Sequence, residues 1–172
     1  MKQNPGQVDI VPPSEGFSFR NAEVRDLEFI YKLILEGAAN GHFANAFLTP
    51  QGSKGLKLNL VSILTHKRRL DSDMPAYGVI YHEDGKSVGF IINTSIYDSK
   101  GTEIWMMAIH RSYRGSGCGS ALLDEILRHM VGYNGLIMAR CHPSSNIMYN
   151  MLVKRGFEHK DTGKEGTRIL VK

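Results

Sequence analysis

Apolar and polar residues recur along this chain with two different periods, and the switches between them mark eleven segments. Phe17-Ser18-Phe19-Arg20 has the two-residue repeat of a strand, and Leu27, Ile30, Tyr31 and Ile34 follow at the spacing of one helical face that ends near Gly37. From Gly37 to Met74 the pattern is mixed. It predicts a loop around Thr49-Pro50-Gln51-Gly52-Ser53-Lys54-Gly55 and a helix over about 58–69. Three strands are then expected at 76–81, 87–97 and 102–109, separated by Asp84-Gly85 and by Asp98-Ser99-Lys100-Gly101. In the middle strand Val88, Phe90, Ile92, Thr94 and Ile96 share one face while Asn93, Ser95 and Tyr97 share the other. That alternation suits an antiparallel meander with helices on one side.

A second helical period over about 121–131 turns Leu122, Leu123, Ile126, Leu127 and Met130 inward, with Asp124 and Arg128 one turn apart on the outside. Asn134-Gly135 closes it, and a strand follows at 136–141. Pro143-Ser144-Ser145 offers caps for a helix over about 146–155 that stops at Gly156. Strands at 157–160 and 167–171 end the chain around a turn at 163–166. The order β-α-α-β-β-β-α-β-α-β-β predicts an α/β (α+β) fold with a mixed, mostly antiparallel sheet flanked by helices.

Residues 1–16 carry Pro5, Gly6, Pro12, Pro13 and Gly16 with few large apolar groups, so they read as an N-terminal arm before a single domain over 17–172. A composition of 42% hydrophobic and 22% charged residues is that of a globular protein rather than a disordered one. No apolar run approaches the roughly 18 residues of a membrane span, and Met1-Lys2-Gln3-Asn4-Pro5-Gly6 has no signal-peptide core. Cys118 and Cys141 form no C-x-x-C pair, which argues against a disulfide framework or a zinc site. The expectation is a reduced, cytoplasmic protein with no bound metal and no membrane partner. A net charge of +4 favours an anionic ligand. Lys67-Arg68-Arg69 is short enough to be solvated surface, so no nucleic-acid partner is expected.

The candidate chemistry lies in Tyr113-Arg114-Gly115-Ser116-Gly117-Cys118-Gly119-Ser120, between the apolar run 104–109 and the amphipathic helix. Strand, bare turn and helix start aim unpaired N–H groups and the positive end of a helix dipole at one spot, and Arg114 adds a fixed charge. A phosphate-bearing ligand is expected there. A P-loop would place lysine and a hydroxyl after the last glycine, where Ser120-Ala121 stands. A dinucleotide fingerprint would read G-x-G-x-x-G in a parallel unit, and this loop reads G-x-G-x-G after a meander.

The motif R-x-x-G-x-G, realised as Arg114-Gly115-Ser116-Gly117-Cys118-Gly119 within a run that begins at Ile109, resembles the coenzyme A signature of the GNAT superfamily of N-acetyltransferases. Phe19-Arg20-Asn21-Ala22 with Asp26-Leu27 resembles the opening of that fold, and Lys154-Arg155-Gly156-Phe157 the end of its last helix. The resemblance implies acetyl-CoA as cofactor and direct acetyl transfer to a primary amine of a small molecule or peptide, and it admits a homodimer. It places main-chain contacts to the coenzyme on Met107, Ala108 and Ile109, its diphosphate on Arg114 through Ser120, and a further contact on Asn146, for which Ser145 competes.

The proton-transfer residues depart from the family pattern. Trp105 fills the usual place of the strand glutamate, leaving Glu103 as a base acting through water or as a strand-end carboxylate. Leu152 fills the usual place of the tyrosine acid, and Tyr149, one turn earlier, either does that work or packs on the sheet. Cys118 reads as packing. Cys141 and His142, neighbours on a strand, point to opposite faces and make no dyad. His42 is a candidate on the substrate side, where the acceptor is expected to meet residues 36–69 and the strands ending near Tyr97. Two other readings stay open: a non-catalytic acyl-CoA-binding module, and a nucleotide- or nucleic-acid-binding module.

Overall fold

The computed structural model describes residues 16–96 and 100–172, so residues 1–15 of the expected arm and Tyr97 lie outside the described residues. Seven strands form one sheet in the order β1-β2-β3-β4-β5-β7-β6. They are β1 (Phe17–Asn21), β2 (Ala76–Glu83), β3 (Lys86–Ser95), β4 (Gly101–Ile109), β5 (Leu136–Cys141), β6 (Glu158–Thr162) and β7 (Arg168–Val171). Among the described residues only β4 and β5 pair in parallel. The helices are α1 (Leu27–Ala39), α2 (Pro50–His66), α3 (Cys118–His129) and α4 (Asn146–Val153). Among the described residues no helix is long and apolar enough to cross a membrane.

The helices cover both faces, not one. Ile30, Leu33 and Ile34 of α1 and Leu56, Leu60 and Ile63 of α2 pack with Ile80, Phe90, Ile92 and Met106. Leu122, Leu123 and Ile126 of α3 and Leu152 of α4 pack with Ile91, Ile104, Ile137, Ala139 and Leu170 on the opposite face. β3 is accordingly buried from Val88 to Thr94, as a strand covered on both sides must be.

Two bulges change which residues share a face. The β2–β3 register passes from Tyr81↔Gly89 to His82↔Ser87, leaving Val88 as the extra residue. Val88 therefore packs with the α3 cluster although Phe90 packs with the α1–α2 cluster. The β3–β4 register passes from Ile92↔Met106 to Asn93↔Ile104, which makes Trp105 extra on β4.

The expected loop at 49–55 is the first part of α2. Thr49 caps it, its hydroxyl accepting from Gly52 N–H at 3.1 Å, and Pro50 opens the helix where no N–H is required. A Cβ on Gly52 would lie 1.9 Å from the Ala46 carbonyl oxygen, so glycine here permits close approach of the preceding turn.

Asp26, 3% exposed, anchors the start of α1. Both its oxygens accept from Arg20 at 2.7 Å, and one also accepts from Glu23 N–H at 2.9 Å. A charge buried with this set of partners locks β1 to the helix.

Candidate active site

β4 and β5 pair from Gly101↔Leu136 to Ile104↔Ala139 and no further. β4 continues to Ile109 and β5 to Cys141, so the strands part. A cleft of about 760 Å³ fills the gap. Its walls are Trp105, Met107, Ala108 and Ile109 of β4, Arg140 and Cys141 of β5, the glycine loop, the start of α4, and Leu33, Gly37, His42 and Phe43 from α1 and the turn after it.

The ladder on the other side of β4 dictates where its backbone points. His110 N–H donates to Val88 O at 2.8 Å, which makes that pair hydrogen-bonded. The antiparallel alternation then turns Ala108 toward Phe90, while the polar groups of Met107 and Ile109 face the gap. A free strand edge of this kind can take an extended ligand. One acceptor position is used, because Arg114 Nε donates to Ile109 O at 2.9 Å.

At the end of this edge the backbone reverses through Gly115 (φ +79°) and Gly117 (φ +85°) into α3. A Cβ at either glycine would meet nothing within 4 Å, so the left-handed backbone and not crowding is what selects glycine. Among the described residues no hydrogen bond engages the N–H groups of 115 through 120. The first amide used is Ala121 N–H, which donates to Gly117 O at 3.0 Å. Six neighbouring donors at the positive end of a 12-residue helix make a seat for phosphate. Arg114 lines the cleft and also reaches α1, its Nη2 lying 3.0 Å from Glu36 Oε1.

Met107, Ala108, Ile109, Arg114, Gly115, Gly117, Gly119, Ser120 and Asn146 all stand in the wall of this one cleft. Ser116 and Cys118 turn their side chains away. Ser116 Oγ donates to Tyr113 O at 2.7 Å, and Cys118, 4% exposed, packs in the α3 cluster. Asn146 Oδ1 accepts from Arg168 Nη1 at 2.9 Å, which fixes that side chain at the start of α4.

The two expected proton-transfer residues are placed elsewhere. Met148 and Met151 take the cleft-facing positions of α4. Tyr149 lies outside the wall, its ring 4.3 Å from the Arg168 guanidinium and its hydroxyl 3.5 Å from His159 Nδ1. Glu103, 4% exposed, has both carboxylate oxygens engaged by Arg140, at 2.7 Å from Nε and 2.9 Å from Nη2. Cys141 lines the cleft, yet burial pushes its thiol up to about 11, which suits packing and not nucleophilic work.

His42 is brought in by the tie between the turn after α1 and the turn before α4. Its Nδ1 lies 3.0 Å from Ser145 Oγ, and Ser144 Oγ donates to Gly41 O. Arg140 was not among the expected residues. The strand alternation that buries Ala139 and Cys141 in the α3 cluster sends Arg140 to the opposite face, and this was the available signal. Among the described residues no group of three or more His, Cys, Asp or Glu could hold a metal.

Residues 45–157 match the model of the acetyltransferase (GNAT) family, and the chain belongs to that family. Over 88 residues it is 31% identical to the L-2,4-diaminobutyric acid acetyltransferase of Nocardia farcinica (strain IFM 10152), covering 48% of this chain. The match spans 46% of that protein, so the chain spans about half the length of the curated relative. Among solved structures, the PaiA N-acetyltransferase of Thermoplasma acidophilum in complex with coenzyme A superposes with a TM-score of 0.68 at 18% identity, over 91% of this chain and 98% of that one. The RimL ribosomal L7/L12 α-N-protein acetyltransferase, also in complex with coenzyme A, gives a TM-score of 0.66 at 14% identity over 95% and 97%. The fold expected from the glycine motif and its flanks is the fold observed.

Proposed function

We propose that this chain transfers an acetyl group from acetyl-CoA directly to a primary amine of a small molecule or peptide. The observation that carries the reading is the run of unpartnered N–H groups at 115–120, standing at one end of the gap between β4 and β5. The relatives support it: the Nocardia protein is named for a diamino acid, and two similar structures hold coenzyme A. The main chain of Gly115, Ser116, Gly117, Cys118, Gly119 and Ser120, with the charge of Arg114, would hold the diphosphate. The open edge at Met107 and Ile109, with Ala108 between them in the wall, and Asn146 would hold the arm that follows. Bound there, the coenzyme supplies the acetyl group as a thioester, whose carbonyl carbon an amine can attack.

Met107 N–H, aimed into the gap, is placed to donate to an oxygen that gains negative charge as the amine adds. His42, its ring held by Ser145, would accept the amine's proton as the carbon–nitrogen bond forms and return it to the sulfur as the carbon–sulfur bond breaks. Glu103, both oxygens taken, holds Arg140 in position instead of acting as the base. The test is release of free thiol from acetyl-CoA with a panel of primary amines. His42→Ala should lower turnover by roughly 100-fold or more while leaving coenzyme affinity unchanged. A second reading, a non-catalytic acyl-CoA-binding module, is favoured by the placement of Tyr149 outside the cleft and the engaged oxygens of Glu103. Coenzyme binding without turnover of any amine would establish it over the first.

A further inference from the structure

Arg140 stands in the cleft wall with three of its five N–H groups unused among the described residues. A guanidinium has two edges that can each take a carboxylate with parallel N–H bonds. Glu103 occupies the edge formed by Nε and Nη2. Nη1 and the outer N–H of Nη2 form the other edge, which has no protein partner among the described residues. The two side chains differ in exposure, 6% for Glu103 and 48% for Arg140. The buried carboxylate thus acts as a bracket for a guanidinium that meets solvent. The Glu103 bonds, together with the Glu103 charge, outweigh burial, which acts the other way, and hold the Arg140 group above its ordinary value and so cationic.

Its position along the cleft separates it from the phosphate seat. The register Ile104↔Ala139 puts Arg140 level with Trp105. Ile109, at the mouth of the glycine loop, is four residues beyond Trp105 on β4, roughly 13 Å at strand rise. Arg140 also projects from the sheet face that carries α1, where Leu33, Gly37, His42 and Phe43 complete the wall. Among the described residues no aspartate or glutamate lines the cleft beside it. Glu103 balances the charge of the guanidinium, so what the cleft meets is its free fork of N–H donors, which fits a planar carboxylate.

We infer that Arg140 selects acceptors that carry a carboxylate near the amine, so that the substrate class is amino acids or peptides with an accessible acid group rather than simple amines. The inference rests on the transferase reading for the word acceptor, but its test does not require turnover. Glycine, alanine and lysine are each compared with their amides for binding to the full chain saturated with coenzyme A, by calorimetry. At least one acid should bind roughly tenfold or more tightly than its amide. Arg140→Met should bring that ratio to within about twofold while coenzyme affinity stays the same, because the phosphate seat is remote.

Arg140→Met leaves Glu103 buried without its partner, so the double variant Glu103→Gln/Arg140→Met, which carries neither charge, provides the same comparison in a protein free of that defect. Equal binding of acids and amides, no binding of any acid, or a preference that survives both variants would overturn the inference. An Arg140-dependent preference for succinyl-CoA over acetyl-CoA would also overturn it, by placing the carboxylate on the donor. Turnover of amines without an acid preference would sink this inference and leave the transferase reading standing. An Arg140-dependent acid preference without turnover would do the reverse.

Discussion

Replacing Gly117 by glutamate tests the phosphate seat directly, because the structure separates its effect on folding from its effect on binding. The backbone at Gly117 has φ +85°, where a residue with a Cβ is disfavoured by about 1–2 kcal/mol. Nothing lies within 4 Å of the new Cβ, so no clash adds to this cost. At about 2–4 °C per kcal/mol for a domain of this size, the melting temperature should fall by roughly 2–8 °C. Binding should suffer far more. A carboxylate on residue 117 would stand among the N–H groups of 115–120 and repel a diphosphate. Loss of two charge-assisted hydrogen bonds at about 1.5–3 kcal/mol each is roughly 3–6 kcal/mol, more than a hundredfold in affinity. Gly117→Ala carries the same φ cost without the charge and should bind within about tenfold of the parent. Calorimetric titration of all three proteins with coenzyme A, beside their melting curves, makes the measurement. A folded Gly117→Glu protein that binds coenzyme A as tightly as the parent would refute the assignment of the loop. Equal losses in both variants would put the cause in the backbone rather than the charge.

Other expectations follow from particular contacts. Burial pushes the Asp26 carboxyl up, but the Arg20 bonds and the Glu23 N–H together outweigh it and hold the group below its ordinary value. Its stabilisation is therefore fully present above about pH 3.9 and is lost as pH falls through the folded value. Asp26→Asn should cost about 3 kcal/mol at pH 7 and much less near about pH 2; urea melts that show the same loss at both would contradict the linkage. Tyr149→Phe should leave turnover and coenzyme affinity unchanged, since the hydroxyl faces His159 and not the cleft; a tenfold fall in turnover alone would return the tyrosine to the chemistry. Cys118 and Cys141 are 4% and 2% exposed, so neither should react with a thiol reagent at pH 8 until denaturant is added; fast labelling of the native protein would contradict their burial.

The order of strands and helices was legible because each segment keeps one period for its whole length, as Leu122, Leu123 and Ile126 do on α3. The errors fell where a tertiary contact overrides the local signal. Gly52 and Gly55 read as loop residues, yet the Thr49 cap and Pro50 start a helix through them. Val88 read as sharing a face with Phe90, because one extra residue inverts the alternation and a period-two pattern carries no mark of it. The cover of both faces follows from the uninterrupted burial of β3, which alternation alone had assigned to one apolar and one polar face.

The site divides along the same line. The phosphate seat is a contiguous stretch whose donors are backbone groups, so glycine spacing alone announces it. The proposed reacting end is assembled from residues distant in the chain. His42 arrives through the contact of the turn after α1 with Ser145, and Arg140 through a bond to Glu103 across a parallel strand pair. Trp105, in the usual place of the strand glutamate, stands at the bulge of β4 where the ladder to β5 ends, and its ring packs 4.1 Å from the Arg69 guanidinium. Glu103 sits on the paired side of that point, at Met138, and Arg140 on the first level beyond it. A carboxylate there is buried by the adjoining strand, whereas a guanidinium two levels on reaches the open gap. The division of labour between the two residues is therefore a consequence of where the ladder stops.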